Sequence, residues 1–139
     1  MEDIHFQVGF VVPDLEAAME EFAAMLGAEM IGPQERDLGS TGVLRIAFAR
    51  TPRPYLELIE GPPGSIWDST DGPRMHHLAY WSDDMDADST RLEAAGLKRE
   101  IDLGFARYHG PAAATGSRIE LISTEHREAF YGRWGLTED

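Results

Sequence analysis

The chain has 139 residues, a length that suits one compact domain or two small joined modules. It contains no cysteine, which excludes disulfides, thiolate metal sites and a cysteine nucleophile, so any metal must be held by oxygen and imidazole donors. With 12 Lys+Arg against 25 Asp+Glu, the formal net charge is −13, which argues against a nucleic-acid partner because phosphate binding needs clustered positive charge.

The first half of the chain predicts the order β-α-β-β-β. Residues 4–12 are rich in β-branched and aromatic types and stop at Pro13, which is typical of a strand. Asp14 is a suitable N-cap for a helix whose apolar residues recur at three- and four-residue spacing up to Leu26, and Gly27 suits its C-terminus. Turn residues then separate three more predicted strands, at 28–31, 43–49 and 55–59.

The second half repeats this order. It predicts a strand at 75–81, a helix capped by Asp84 that ends at Gly96, and strands at 97–103, 105–109 and 118–123. Asp14-Leu-Glu-Ala17 and Asp84-Met-Asp-Ala87 are separated by seventy residues, and the same offset separates Gln7 from His77. These matches indicate an internal duplication.

A single domain over 1–139 is therefore predicted, made of two repeats at about 4–62 and 75–123. Residues 63–74 have the composition of a linker, although Ile66 and Trp67 within it indicate that it packs against something. Residues 125–134 predict a short final helix.

Four polar side chains stand at equivalent places in the two repeats: Gln7 and His77 in the opening strands, and Glu57 and Glu120 in the closing ones. Each alone has an ordinary explanation, since a glutamate often lies on the solvent side of a sheet and a histidine often belongs to a core. A pseudo-twofold packing of the repeats would bring all four to one central cleft. Two carboxylates, an imidazole and an amide oxygen suit one divalent Zn, Ni, Co, Mn or Fe ion.

The motifs that carry these residues resemble the vicinal oxygen chelate superfamily, which includes glyoxalase I, methylmalonyl-CoA epimerase, extradiol dioxygenases, and fosfomycin and bleomycin resistance proteins. The resemblance covers nearly the whole chain. Its matching segments are Val12-Pro13-Asp14-Leu15, Glu57-Leu-Ile-Glu60, His76-His77-Leu-Ala-Tyr80 and Ile119-Glu120-Leu121.

The resemblance implies an α+β fold in which two tandem βαβββ modules form a curved, incompletely closed β-barrel cleft with the metal between them. It places Gln7, Glu57, His77 and Glu120 at the four ligand positions, and these residue types are similar to the glyoxalase I set. In epimerases, the first ligand position more often holds His and the second more often holds Gln. Dioxygenases use two His and one Glu, which Gln7 and Glu57 do not fit.

The function implied is a metal-dependent isomerase, epimerase or lyase acting on a small oxygenated metabolite. The metal would act as a Lewis acid that stabilises an enolate, and Glu120 or Glu57 would serve as the catalytic base. The four ligands do not separate isomerisation from epimerisation. A competing hypothesis is a metal-free protein that sequesters a drug or metabolite, and a third is a non-catalytic domain that serves a partner.

Substrate contacts are less well indicated. Candidates are His5, on the strand face of Gln7, and the aromatic Trp67; the resemblance adds the penultimate strand of the second repeat, with Arg107 and His109. Arginines are also candidate clamps for a substrate carboxylate or phosphate, although surface ion pairing is the more common role of such residues: Arg45, Arg74, Arg107 and Arg118. His76 lies on the opposite strand face from His77 and is expected to pack in the core.

The remaining expectations concern partners and location. No apolar run approaches the roughly 18 to 20 residues of a membrane span, and the first residues do not resemble a secretory signal. A cytoplasmic protein with a small-molecule substrate and no membrane or nucleic-acid partner is expected. A homodimer is also predicted, because the sheets of such small modules often pair.

Overall fold

The structure is a computed structural model and describes residues 1–138, which contain eight strands and three α-helices. The strands are β1 (Gln7–Val11), β2 (Met30–Asp37), β3 (Val43–Ala49), β4 (Tyr55–Glu60), β5 (Arg74–Ser82), β6 (Arg99–Asp102), β7 (Ala106–His109) and β8 (Arg118–Ser123). The helices are α1 (Leu15–Leu26), α2 (Met85–Ala94) and α3 (Arg127–Trp134). The predicted α+β class with two βαβββ modules is confirmed. Over the same residues, no helix is long and apolar enough to cross a membrane.

The chain divides into two compact units. The first unit comprises residues 8–76, and the second comprises residues 1–7 and 77–138. Neighbouring strands follow the order β2-β3-β4-β1 in the first unit and β6-β7-β8-β5 in the second. Counted within each module, the two orders are the same, as a duplication predicts.

Strand β2 is longer than expected. The sequence predicts a strand at 28–31 followed by a polar turn region that holds Gly39 and Gly42, and the segment after the predicted strand begins with Gly32 and Pro33. In the structure, the antiparallel pairing of β2 with β3 shifts between Ile31 and Gln34 and then continues to Asp37. The irregularity absorbs the glycine and the proline, so the strand does not end there.

In the first unit, α1 is fastened at both ends. The Asp14 side chain accepts a hydrogen bond from the N–H of Ala17 at 3.1 Å, and Gly27 ends the helix in the left-handed region at φ 63°. The Glu60 carboxylate on β4 accepts a hydrogen bond from the N–H of Leu15 at 2.9 Å. This N–H is in the first turn of the helix, where backbone donors have no partner within the helix. Leu15 is thereby held in a core with Val12, Ala47 and Leu58.

In the second unit, Trp81 on β5 is the centre of an aromatic cluster. The ring of Phe6 stacks on Trp81 with centroids 4.1 Å apart, and Phe130 of α3 meets the same ring edge-on at 5.6 Å. The Arg127 guanidinium lies 5.0 Å from the Trp81 ring centroid. The predicted C-terminal helix therefore docks through Phe130 and Trp134, both of which are buried.

The linker between the repeats is ordered around two residues. Trp67 is fully buried against Gly61, where an added Cβ would lie 2.5 Å from the Cβ of Trp67. Asp68 accepts hydrogen bonds from the Thr70 hydroxyl and from the backbone N–H groups of Gly64 and Thr70. These bonds, the Thr70 hydroxyl first, lower the pKa of Asp68 to about 2.

Asp14 and Asp84 cap their helices in the same way, so loss of either cap should lower the stability of the protein by a similar amount. Asp14→Ala and Asp84→Ala each remove a side-chain cap, and each should lower the free energy of unfolding by about 1 kcal/mol. The double variant should lose about the sum, because the two caps share no partner. Urea unfolding followed by circular dichroism measures this, with Asp14→Asn as the control that keeps a capping oxygen.

The linker gives a prediction about pH. The folded-state pKa of Asp68 is lowered, so its contribution to stability is present above the unfolded pKa of about 3.9 and is lost as the pH falls towards 2. Thr70→Ala should raise the pKa of Asp68 towards the ordinary value. An NMR titration of the carboxyl carbon measures both, and an unchanged midpoint in Thr70→Ala would contradict the assigned cause.

Candidate metal centre

Three of the four predicted ligands, Gln7, His77 and Glu120, meet in the second unit; we call them the donor triad. The amide Nε2 of Gln7 lies 3.1 Å from Nε2 of His77 and 3.5 Å from Oε1 of Glu120, and that oxygen lies 3.2 Å from His77 Nε2. The three residues are 1%, 0% and 5% exposed. A carboxylate so far removed from water needs polar partners, and the triad supplies them.

Parallel pairing of β5 with β8 brings His77 and Glu120 together. Along the two strands, His77 is opposite Arg118 and Ala79 is opposite Glu120, so the histidine and the glutamate are diagonal neighbours. Their side chains share one face, because alternate residues of a strand point the same way. Apolar neighbours such as Leu121 and Trp81 bury these strands and leave the polar pair enclosed.

The hydrogen bonds within the donor triad depend on the tautomer of His77 and on which way the Gln7 amide is turned. A ring nitrogen carries at most one proton. If His77 Nε2 is protonated, it donates to Glu120 but faces the amide N–H donor of Gln7. If it is not, it accepts from Gln7 but turns its lone pair towards the Glu120 carboxylate. With the amide turned the other way, its oxygen accepts from a protonated Nε2. In that orientation the imidazole nitrogen, the carboxylate and the amide oxygen are also the donor types that hold a divalent cation.

The spacing of the donor triad also fits a metal. Donor atoms around an ion at roughly 2.0 to 2.2 Å stand about 2.8 to 3.6 Å apart at octahedral or tetrahedral angles. The observed separations of 3.1, 3.2 and 3.5 Å fall within that range once the Gln7 amide is turned so that its oxygen takes the position of Nε2. Imidazole, carboxylate and amide donors suit the divalent transition metals predicted from the sequence.

The fourth predicted ligand, Glu57, lies in β4 of the first unit. It is 7% exposed and stands opposite Phe48 of β3. Within residues 1–138, no three His, Asp or Glu side chains are grouped so as to hold a metal ion. A metal on the triad therefore requires the Gln7 amide as a ligand, and the place of Glu57 in the set stays a prediction.

Two of the predicted substrate contacts, Arg107 and His109, bind the residues around α2. The Ser89 hydroxyl of α2 lies 3.0 Å from His109 Nε2 and accepts a bond from Arg107 at 3.1 Å. His109 Nδ1 donates to the Leu97 carbonyl, which leaves Nε2 to accept from Ser89. The hydrogen bond to the Asp86 carboxylate raises the pKa of Arg107. Burial opposes this rise, and the negative charge of Asp102 adds to it. These contacts explain the position of both residues, and their role in substrate binding stays a prediction.

The other candidates lie in different surroundings. His5 is half-buried and meets the ring of Tyr80 edge-on at 5.9 Å, while Trp67 is enclosed in the first unit. The candidate arginine clamps are bound to protein groups: Arg45 to Glu16 and Glu60, Arg74 to the Asp68 carbonyl, and Arg118 in a bidentate pair with Glu100 at 2.7 and 3.0 Å. His76 is buried and donates to the Ile66 carbonyl at 2.7 Å, in keeping with the expected packing role.

One residue beside the triad, Tyr108, is not selected by the sequence analysis. It stands between Arg107 and His109 in β7, directly opposite Glu120 in β8. Its ring is 3% exposed and lies 5.2 Å from the His77 ring at an interplanar angle of 84°. Alternation along β7 predicts that the Tyr108 side chain points away from those of Arg107 and His109. Only the pairing of β7 with β8 shows which face of the strand carries the donor triad.

The sequence matches a family and a relative. The sequence profile of the glyoxalase/bleomycin resistance protein/dioxygenase superfamily matches residues 6–112. An ethylmalonyl-CoA/methylmalonyl-CoA epimerase of Cereibacter sphaeroides is 35% identical over 97 residues, which cover 66% of this chain and 69% of that protein. The predicted kind of protein, an isomerase- or epimerase-type enzyme of the glyoxalase superfamily, is confirmed.

Solved structures share the fold. Methylmalonyl-CoA epimerase from Mycobacterium tuberculosis superposes with a TM-score of 0.65 at 24% identity, over 94% of this chain and 97% of that one. A Streptomyces coelicolor methylmalonyl-CoA epimerase in complex with 2-nitronate-propionyl-CoA gives 0.64 at 23% identity, over 86% and 95%. With the profile match over most of its length, the chain belongs to the glyoxalase/bleomycin resistance protein/dioxygenase superfamily.

Proposed function

We propose that this protein is a metal-dependent epimerase that inverts the carbon next to the carbonyl of an acyl-CoA thioester. The observation that carries the proposal is the donor triad, in which a buried imidazole, amide and carboxylate converge on one point. The named activity of the Cereibacter sphaeroides relative supports this reaction class and this kind of substrate.

The metal would be held by Gln7, His77 and Glu120, with Glu57 as the fourth ligand predicted from the sequence. A divalent ion in this position supplies a Lewis acid that stabilises negative charge developing on a carbonyl oxygen. The identity of the ion is left open among Zn, Ni, Co, Mn and Fe, because sites of this kind follow metal availability as much as intrinsic preference.

Glu120 is the proposed catalytic base. It takes the proton from the carbon next to the carbonyl as the C–H bond breaks, and the bonding electrons move into the enolate. Inversion requires a proton to return to the opposite face of the same carbon. Glu57, also predicted as a catalytic residue, is the candidate acid for that return.

A homodimer in the cytoplasm stays part of the proposal. Neither the oligomeric state nor the location enters the chemistry of the donor triad.

The metal centre predicts one divalent ion per chain. After treatment with a chelator, the protein should bind added Zn²⁺ or Ni²⁺ in a calorimetric titration with one site. His77→Ala and Glu120→Gln should each weaken that binding about a hundredfold or more, since even the loss of a group that only supports a ligand costs about ten- to a hundredfold.

His76→Ala is the matched control for the metal titration. His76 and His77 are adjacent and equally buried, but His76 bonds to the Ile66 carbonyl. The control should bind the metal like the wild type. Equal losses in both histidine variants would show that the effect comes from general destabilisation.

The reaction predicts proton exchange at one carbon. In D₂O, the wild type with added metal should incorporate deuterium at C2 of a 2-alkylmalonyl-CoA and convert a single C2 epimer into a mixture of both, as NMR and chromatographic separation of the intact thioester epimers would show. Glu120→Gln should slow exchange by about 10² to 10⁴-fold. If Glu57 returns the proton, the Glu57→Gln variant should still exchange the hydrogen on C2 with solvent but should invert the substrate slowly.

Two results would count against this reaction. Binding of the thioester without any exchange at C2 would favour a sequestering protein. Exchange that persists at the wild-type rate in Glu120→Gln would exclude Glu120 as the base.

A further inference from the structure

We propose that Tyr108 is a positioning residue: its ring holds the imidazole of His77 in the orientation that directs Nε2 towards Gln7 and Glu120. This inference rests on the proposed function, because it assigns Tyr108 a role in the metal centre. The observation that carries it is the edge-to-face contact between the two rings, 5.2 Å between centroids at 84°.

The strands place Tyr108 where it can act on His77. Tyr108 is opposite Glu120, and the β5 residue opposite Glu120 is Ala79, two positions from His77. Tyr108, Glu120 and His77 thus lie on three successive strands, β7, β8 and β5.

A histidine ligand works only when its ring is turned correctly. An imidazole rotates about its last side-chain bond, and rotation carries Nε2 away from the point where the three donors converge. A perpendicular aromatic ring opposes a tilt of the imidazole plane, because aromatic pairs prefer edge-to-face or offset-stacked arrangements to those in between. Both rings are almost completely buried, so no solvent gap lets the imidazole turn.

The alternative is that Tyr108 only fills the core. Both roles lose stability on truncation, but only the positioning role links the Tyr108 ring to the orientation of His77. The ring is the relevant part, so Tyr108→Phe should behave like the wild type and Tyr108→Leu should not.

The experiment combines metal affinity with a measurement on the metal-free protein. Zn²⁺ titration should give a Kd for Tyr108→Phe within about twofold of the wild type and a Kd about tenfold weaker for Tyr108→Leu. In the metal-free wild type, nuclear Overhauser contacts should join the ring protons of Tyr108 and His77. The ¹⁵N and ¹H signals of the His77 ring should move in Tyr108→Leu and stay near wild-type positions in Tyr108→Phe.

Leu121→Ala is the control for general loosening. Leu121 is fully buried in β8, next to Glu120 in the chain, and faces the opposite side of the sheet. This variant should be destabilised but bind Zn²⁺ like the wild type. An equal loss of affinity in Leu121→Ala, or wild-type affinity in Tyr108→Leu, would overturn the proposal.

Failure of the proposed function can be told apart from failure of this inference. If the wild type binds no divalent metal, the metal centre is wrong, while the ring contacts and His77 signals in the metal-free protein still decide the positioning role. If Tyr108→Leu does not fold, the wild-type contacts decide it: their absence, or two orientations of the His77 ring, would overturn the proposal.

Discussion

The burial of the Glu120 carboxylate beside the His77 imidazole is the constraint on which the second unit depends. Removing a charge from water is costly unless groups of complementary polarity replace the water. Here Gln7 and His77 replace it, at 3.5 and 3.2 Å from one carboxylate oxygen. An imidazole, a carboxylate and an amide are also the groups that hold a divalent cation, which is the basis of the proposed metal centre.

The two faces of β7 have different contacts. Tyr108 faces His77 and Glu120, and its ring limits the orientation of the imidazole. Arg107 and His109 face the other way and converge on the Ser89 hydroxyl, which ties α2 to the strand. One short strand thus carries both the support of the candidate metal centre and the attachment of a helix. A one-residue slip of its pairing would exchange the two roles.

In this acidic protein, the candidate arginine clamps are bound to groups of the protein itself. The arginines that the sequence offers as anion clamps are bound to carboxylates or a carbonyl of the protein, and the Glu16 side chain raises the pKa of Arg45 further. Membership of the superfamily establishes the fold, but one fold in such a family supports several reactions. The choice of an epimerase therefore depends on the donor triad and on the named activity of one relative, and proton exchange at C2 tests it directly.

The sequence by itself determined most of the elements and predicted their duplication. Asp14 and Asp84 cap α1 and α2 through equivalent bonds, because capping depends on a side chain and an N–H group three residues away. It also singled out Gln7, Glu57, His77 and Glu120, because polar residues amid apolar neighbours on equivalent strands are conspicuous in a repeat. The structure brings Gln7, His77 and Glu120 together, and the role of the set as metal ligands stays a prediction. Only the tertiary structure decided the extension of β2 past Pro33 and the choice of Tyr108 over Arg107 and His109 as the neighbour of His77. Both depend on pairing between strands, which alternation within one strand does not determine.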